Sequence, residues 1–390
     1  MKKSIALFIP IVMLAIFASC NSPGRVTDFN DMDSKTFLES IEFPQNLSID
    51  MNLDDIKSVD TAKTYKADYA TFDKQKLINA FIKNKVTEEK IWAEGPQVIA
   101  TSGNTKEYLN MQDGGKSFGV ENGAKGGFIY SRIVDDVFED KLDTVANNDF
   151  VYSTRYSVQK YRYNINADYS SYSNLSFLSY NAALTDIKNR LNMVGITEFD
   201  VDETYSLDLE TMKSHYELYL KSEFCDEEMK NLNWTKDDEC YIFSLTQLVD
   251  NIPIVNVQWI MPDGTKDSAV PNLMPSTSIK LIYDSRGMKE IRTSYIRNIV
   301  GEIESNHLIN LYEALNKLIH DYSLTILEDK VSIVSAKLCY LSIPKDGMFE
   351  LIPGWLFCST KTEELDGETF IRCKYDVVNA VTGKLYQARW

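Results

Sequence analysis

Cys20 is the residue whose setting most plainly calls for chemistry. It closes an N-terminal stretch in which Met1-Lys2-Lys3 carries positive charge, Ile5 to Phe17 is apolar, and Ala18 and Ser19 are small. That layout is a secretory signal peptide over residues 1–19, and its apolar run is too short for a permanent bilayer span. Phe17-Ala18-Ser19-Cys20 resembles a lipobox, in which the cysteine thiol is acylated before the signal is removed, with Phe17 where leucine is usual. The sequence therefore predicts a bacterial protein outside the cytoplasm, tied to the membrane by acyl chains on Cys20. One chain alone would hold weakly, whereas several would hold stably.

No other group carries a complete motif. Gly114-Gly115-Lys116-Ser117 imitates the end of a phosphate-binding loop, but Asn110 stands where the first glycine belongs, so a surface turn is expected. His215-Tyr216-Glu217 lacks the second histidine of a zinc-protease helix. Asp200-Val201-Asp202 lacks the glycine and the terminal glutamate of a calcium loop. Gly-x-Ser-x-Gly does not occur. The acidic clusters Asp226-Glu227-Glu228 and Asp237-Asp238-Glu239 could supply the paired carboxylates of a glycosidase, yet such pairs arise readily in a chain with 57 acidic residues. His307 is placed near the start of a helix and His320 near its end, where the dipole favours a cation. No catalytic, cofactor-binding or metal-binding residue is expected, and the chain reads as non-enzymatic.

The remaining cysteines, Cys225, Cys240, Cys339, Cys358 and Cys373, are odd in number, so export would leave at least one unpaired. Cys358 and Cys373 are one candidate disulfide and Cys225 with Cys240 another; buried thiols in strands are the alternative. Tyr152, Tyr156, Tyr161, Tyr163, Tyr169, Tyr172 and Tyr180 could contact sugar or peptide, although strands favour tyrosine as well. Trp355, beside Pro353 and Gly354, is either a ligand platform or a core aromatic, with the core favoured.

The elements that would position these groups follow from periodicity. Residues 20–40 are polar and read as a flexible tether. Asp73 caps a helix bearing Leu77, Ile78, Phe81 and Ile82 on one face. Ser179 precedes a second helix, with Ala183, Ile187, Leu191 and Val194 facing inward and Gly195 ending it. A third is expected from about Asn306 through Leu311, Leu315, Leu318 and Ile319. Alternating runs flank turns at Asp284-Ser285-Arg286-Gly287, Lys345-Asp346-Gly347 and Thr382-Gly383, which predicts antiparallel hairpins. The fold class is α+β, with antiparallel sheets each packed by one or more helices. Loose matches between Asn181-Ala182-Ala183-Leu184 and Tyr312-Glu313-Ala314-Leu315, and between Cys240-Tyr241-Ile242-Phe243 and Phe349-Glu350-Leu351-Ile352, suggest a tandem repeat of a helix-plus-strands module. Domains are expected over 41–175, 176–300 and 301–390. The net charge of −16 disfavours nucleic acid as a partner.

From about residue 176 onward the pattern resembles bacterial surface lipoproteins related to the YycH/YycI extracytoplasmic regulators. The residues that carry this are Val194-Gly195-Ile196, Glu239-Cys240-Tyr241, Asn251-Ile252-Pro253-Ile254, Tyr283-Asp284-Ser285-Arg286-Gly287, Leu351-Ile352-Pro353-Gly354-Trp355 and Asn379-Ala380-Val381-Thr382-Gly383. The Thr-Gly turn also looks like the final hairpin of PepSY domains. The resemblance implies a module that binds an envelope protein or peptide, as a regulator of a sensor kinase or, in the PepSY reading, of a secreted protease. A glycan-binding or glycan-processing role is the further alternative. Replacing Cys20 by serine is expected to block acylation and move the protein from the membrane to the soluble fraction. Fractionation with palmitate labelling checks this, and a labelled, membrane-bound Cys20→Ser protein would place the lipid elsewhere.

Overall fold

The chain begins in one sheet, builds a second, and then returns to complete the first. The computed structural model describes residues 29, 32–57, 59–92, 95–113, 116–117, 120–121, 125–134, 172–221, 225, 227–257, 259–260, 273–274, 276–365 and 368–386. The signal peptide and Cys20 lie outside them, as do Gly114, Gly115, Asp226 and the tyrosines from Tyr152 to Tyr169. The first sheet opens with Leu47–Ile49 (β1) and Thr61–Tyr69 (β2). The second comprises Val86–Trp92 (β3), Gly95–Ser102 (β4), Thr105–Asp113 (β5), Lys125–Val134 (β6), Phe199–Leu207 (β7), Cys240–Val249 (β8), Ile252–Pro253 (β9), Ser278–Asp284 (β10) and Gly287–Ser294 (β11). Arg297–His307 (β12), Val331–Lys345 (β13), Met348–Leu365 (β14), Glu368–Asn379 (β15) and Leu385–Tyr386 (β16) then return to the first.

All pairings in these sheets are antiparallel except β1 with β13. Among the described residues there are five helices: Ser34–Ser40 (α1), Lys74–Phe81 (α2), Tyr180–Met193 (α3), Leu209–Tyr219 (α4) and Leu311–Ser323 (α5). The class is α+β, as the alternating runs and narrow helical stripes indicate.

Side-chain alternation decides which face each helix covers. On the nine-stranded sheet, Tyr241, Phe243, Leu281 and Ile291 meet Leu77 and Phe81 of α2 and Ala183, Ile187 and Leu191 of α3. The intervening Ile242 and Ile282 face the other way, with Cys240, onto Met212, Tyr216 and Tyr219 of α4. On the seven-stranded sheet, Tyr340, Leu351, Trp355 and Phe357 face Leu315, Leu318 and Ile319 of α5, while Cys339, Leu341, Leu356 and Val377 face Val255 and Val257. The order helix, then three strands pairing successively, occurs twice: α3 with β7, β8 and β10, and α5 with β13, β14 and β15. Ala183 and Ala314, matched in the sequence comparison, are both fully buried at the helix–sheet contact.

Three expectations need correction. Residues 34–40, read as tether, form α1; Asp33 caps it, and Phe37 is fully buried, stacked on Tyr312 of α5 at 4.9 Å. The sheets ignore the boundaries drawn at 175 and 300: β2 pairs with β12 and β14, and β12 itself crosses residue 300. The third helix starts at Leu311, capped by Asn310, so His307 ends strand β12, whereas His320 does occupy the last turn of α5. The polar, poorly periodic run around β12 hid a strand whose side chains are largely exposed.

The Pro353-Gly354-Trp355 and Asn379-to-Gly383 motifs are two parts of one junction. β14 keeps β13 on one edge from Met348 to Lys361, but its other edge pairs with β2 at Phe349–Leu351 and with β15 from Gly354 onward. Pro353 falls where the partner changes, so its missing N–H leaves no ladder bond unmade. A Cβ at Gly354 would come within 2.6 Å of Leu341, so this close approach requires glycine. Asn379 Oδ1 accepts from the N–H groups of Val381 and Thr382, both at 2.9 Å, which shapes the turn. Ala380 N then donates to Pro353 O, Ile309 N to Ala380 O, and Trp355 Nε1 to Ile309 O at 3.0 Å. This relay pins the entry of α5 to the sheet. Trp355→Phe would leave the Ile309 carbonyl without that donor and is expected to destabilise by about 1–2 kcal/mol. Urea unfolding of both proteins measures it; equal stability would mean the indole bond contributes nothing.

Candidate functional site

The two sheets meet along β13, and their junction leaves a cleft of about 650 Å³. That volume falls in the range of roughly 300–1,000 Å³ common for ligand sites. One wall is the loop and strand from Ile56 to Lys63. The opposite wall is the start of β7 with the β8–β9 hairpin, and the floor is Ala336 to Tyr340 of β13. The hairpin turns through Asp250 and Asn251, both at positive φ, which suits the two-residue turn that Val249 and Ile252 close.

Polar contacts hold the walls apart at fixed spacing. Tyr65 donates its hydroxyl to Asp250, and Tyr340 donates to Lys63 O at 3.0 Å. Burial pushes both tyrosine hydroxyls above their ordinary pKa. Lys63 pairs with Glu302 at 2.8 Å, a bond that raises its pKa, and Lys337 reaches Asp202 at 2.9 Å. Behind the cleft, Gln247 exchanges two hydrogen bonds with the Arg297 backbone, at 2.7 and 2.9 Å. The Arg297 guanidinium lies 3.7 Å from the Phe349 ring centre and 4.6 Å from that of Tyr69.

The floor carries an incomplete sheet edge. β1 pairs with β13 only at Val331–Ile333, and Ile254 bridges Tyr340 in parallel, with Val255 N donating to Tyr340 O. Because Tyr340 points its backbone groups away from β14, so do Leu338 and Ala336 along the regular ladder. The N–H and C=O of Ala336 and Leu338 have no hydrogen-bond partner among the described residues. Neither residue looks distinctive in sequence. The signal would have been a long strand whose neighbours on one side cover only its two ends.

Of the residues named from sequence, Asp200 and Val201 of the Asp-Val-Asp triplet and Asn251, Ile252 and Pro253 line this cleft, whereas the acidic clusters, Trp355 and the cysteines do not. Trp355 is fully buried in the core beneath α5, which removes it as a ligand platform. Asp238 accepts from Thr235 N at 2.7 Å, and Glu239 accepts from Leu209 N and from Ser176 N and Oγ. Glu227 pairs with Lys230. Asp238 and Glu239 thus satisfy backbone N–H groups, and Glu227 is ion-paired. Of the two described tyrosines in the aromatic run, Tyr180 is buried and Tyr172 is 63% exposed against it. Cys358 and Cys373 sit diagonally on one face of β14 and β15, as free thiols hydrogen-bonded to each other; that bond drives Cys373 below and Cys358 above the usual thiol pKa. Cys225 and Cys240 lie in the apolar cluster under α4 and are not joined by a disulfide.

No family model matches the chain, and no curated protein matches it. The crystal structure of an uncharacterised protein from Eubacterium rectale ATCC 33656 is similar, with a TM-score of 0.54 and 17% identity over 88% of this chain and 92% of that one. At this identity the likeness is one of fold. No described helix is long and apolar enough to cross a membrane.

His215 is buried on the inner face of α4, and Glu217, two positions on, is exposed, so the His-Tyr-Glu triplet does not converge. Burial holds the His215 imidazole below its ordinary pKa of 6.5. The unfolded chain therefore binds a proton that the native state resists. Its contribution to stability is complete above pH 6.5 and declines as pH falls through that value toward the lower folded pKa. Urea midpoints at about pH 7.5 and 5.5 should fall less in His215→Gln than in the parent; equal losses would show that His215 does not set the slope.

Proposed function

We propose that this chain is a membrane-tethered extracytoplasmic lipoprotein that binds a protein or peptide outside the cell, in a regulatory role without chemistry of its own. The observation that carries the reading is the cleft between the sheets, with its fixed walls and the unpaired backbone of Ala336 and Leu338 at its floor. The signal-peptide pattern ending in Cys20 supports the location, and the resemblance to YycH/YycI-type regulators supports an envelope partner. Asp238 and Glu239, weighed for sugar chemistry, accept from backbone N–H groups and Glu227 is ion-paired, which favours binding over glycan processing.

A photo-reactive benzoylphenylalanine at position 59 tests this in native membranes. Val59 lines the cleft and is 44% exposed, while Ile91 on β3 is 88% exposed and serves as the control position. A discrete envelope protein cross-linked from position 59 and not from position 91 is the expected result. Identical capture from both positions would overturn the cleft as the working surface.

A further inference from the structure

The floor of the cleft specifies how a partner is held. β13 is flanked at its start by β1, which pairs as far as Ile333, and again at Tyr340 by the bridge to Ile254. Between these flanks no described strand pairs with the outward edge of residues 334–339, a gap of about 20 Å at roughly 3.3 Å per strand residue. Both flanking segments run parallel to β13, so the gap interrupts a parallel neighbour that is present before it and after it. The groups facing it are the N–H and C=O of Ala336 and Leu338, donors and acceptors at the strand repeat that one extended polypeptide matches along its whole length. Ile56, Val59 and Ala62 stand on one side, and Val201, Leu248 and Ile252 on the other. The charged lining balances, with Lys57, Lys63 and Lys337 against Asp55, Asp200 and Asp250. A neutral, apolar walled slot above an open strand edge matches an uncharged segment of β-branched residues.

We infer that the cleft binds an uncharged, extended peptide segment of a partner protein by strand addition to β13, filling the gap between β1 and Ile254. This rests on the cleft being the working surface and adds the chemical class and conformation of what enters it. Ala336 and Leu338 form the ladder, and the two walls take the alternating side chains.

The probe is a fluorescein-labelled hexapeptide of alternating valine and threonine, added to the lipid-free full chain and followed by anisotropy and by amide hydrogen exchange. The expected result is saturable binding with slowed exchange at Ala336 and Leu338. N-methylation of the peptide at alternate amides should weaken binding about tenfold in one register and leave it unchanged in the other, since one register removes a ladder donor. Ala336→Pro removes an N–H that the sheet does not use, so it should keep the parent's thermal stability while also losing about tenfold in affinity. Binding that ignores N-methylation and leaves these amides unprotected would overturn strand addition while leaving the cleft a binding site. Amides already protected in the free chain would overturn it too, by showing that this chain or a second copy occupies the gap. No binding of this hexapeptide would overturn the inferred peptide class, whereas the cross-linking from position 59 decides separately whether the cleft is used.

Discussion

Much of the seven-stranded sheet follows from one constraint, the need of the 18-residue strand β14 for hydrogen-bonding neighbours on both edges where it is buried. β13 satisfies one edge from Met348 to Lys361. The other edge has two tenants, β2 and then β15, and the change falls at Pro353, the residue with no N–H to leave unpaired. The position is consistent on both sides, because opposite Tyr340 the ladder with β13 makes no bond to a Pro353 N–H either. The change of partners is also what joins the first strands of the chain to the last: β2 pairs with Phe349–Leu351 at the start of β14. The Trp355–Ile309–Ala380–Pro353 relay then locks α5 over the same point.

The junction between the sheets is built differently from either core. Around the cleft the apolar packing of Val249, Ile252 and Ile254 into the core under α5 is joined by polar and cation–aromatic contacts, including the Tyr65–Asp250 bond, the Gln247–Arg297 exchange and Arg297 over Phe349 and Tyr69. Arg297 is 2% exposed, and a guanidinium carries its charge into such a site best when aromatic faces replace part of its water. The sheets are thus tied at discrete points, and the space among those points is the cleft.

How much of this could be read from the residues depends on the range of the interaction. Ser179 with Gly195, Asp73 with Leu77 and Phe81, and Asp346-Gly347 are local signals, and each lies where the periodicity put it. The helix α4 was missed because its inward residues include His215 and tyrosines, not an aliphatic stripe. β12 was missed because most of its side chains are exposed and it has no buried face to alternate against. The sheet membership of β2 could not be read at all, since nothing in Thr61–Tyr69 distinguishes pairing with residues 86–92 from pairing with residues 297–307. The cleft shares that limit: an unpaired Ala336 or Leu338 is defined by which strands fail to reach it.

The layout has a kinetic cost during synthesis. β2 emerges early, yet its ladder with β12 joins residues such as Lys63 and Glu302, 239 positions apart. The nine-stranded sheet can close entirely before that partner appears, so its early strands wait as an exposed ribbon of alternating apolar residues. Closing so long a loop adds only a logarithmic entropic penalty, but contacts of such separation form late and slowly. The last strands to be made are therefore the ones that rescue the first, and a chain stalled before residue 297 would present its own N-terminal strands as an adhesive edge.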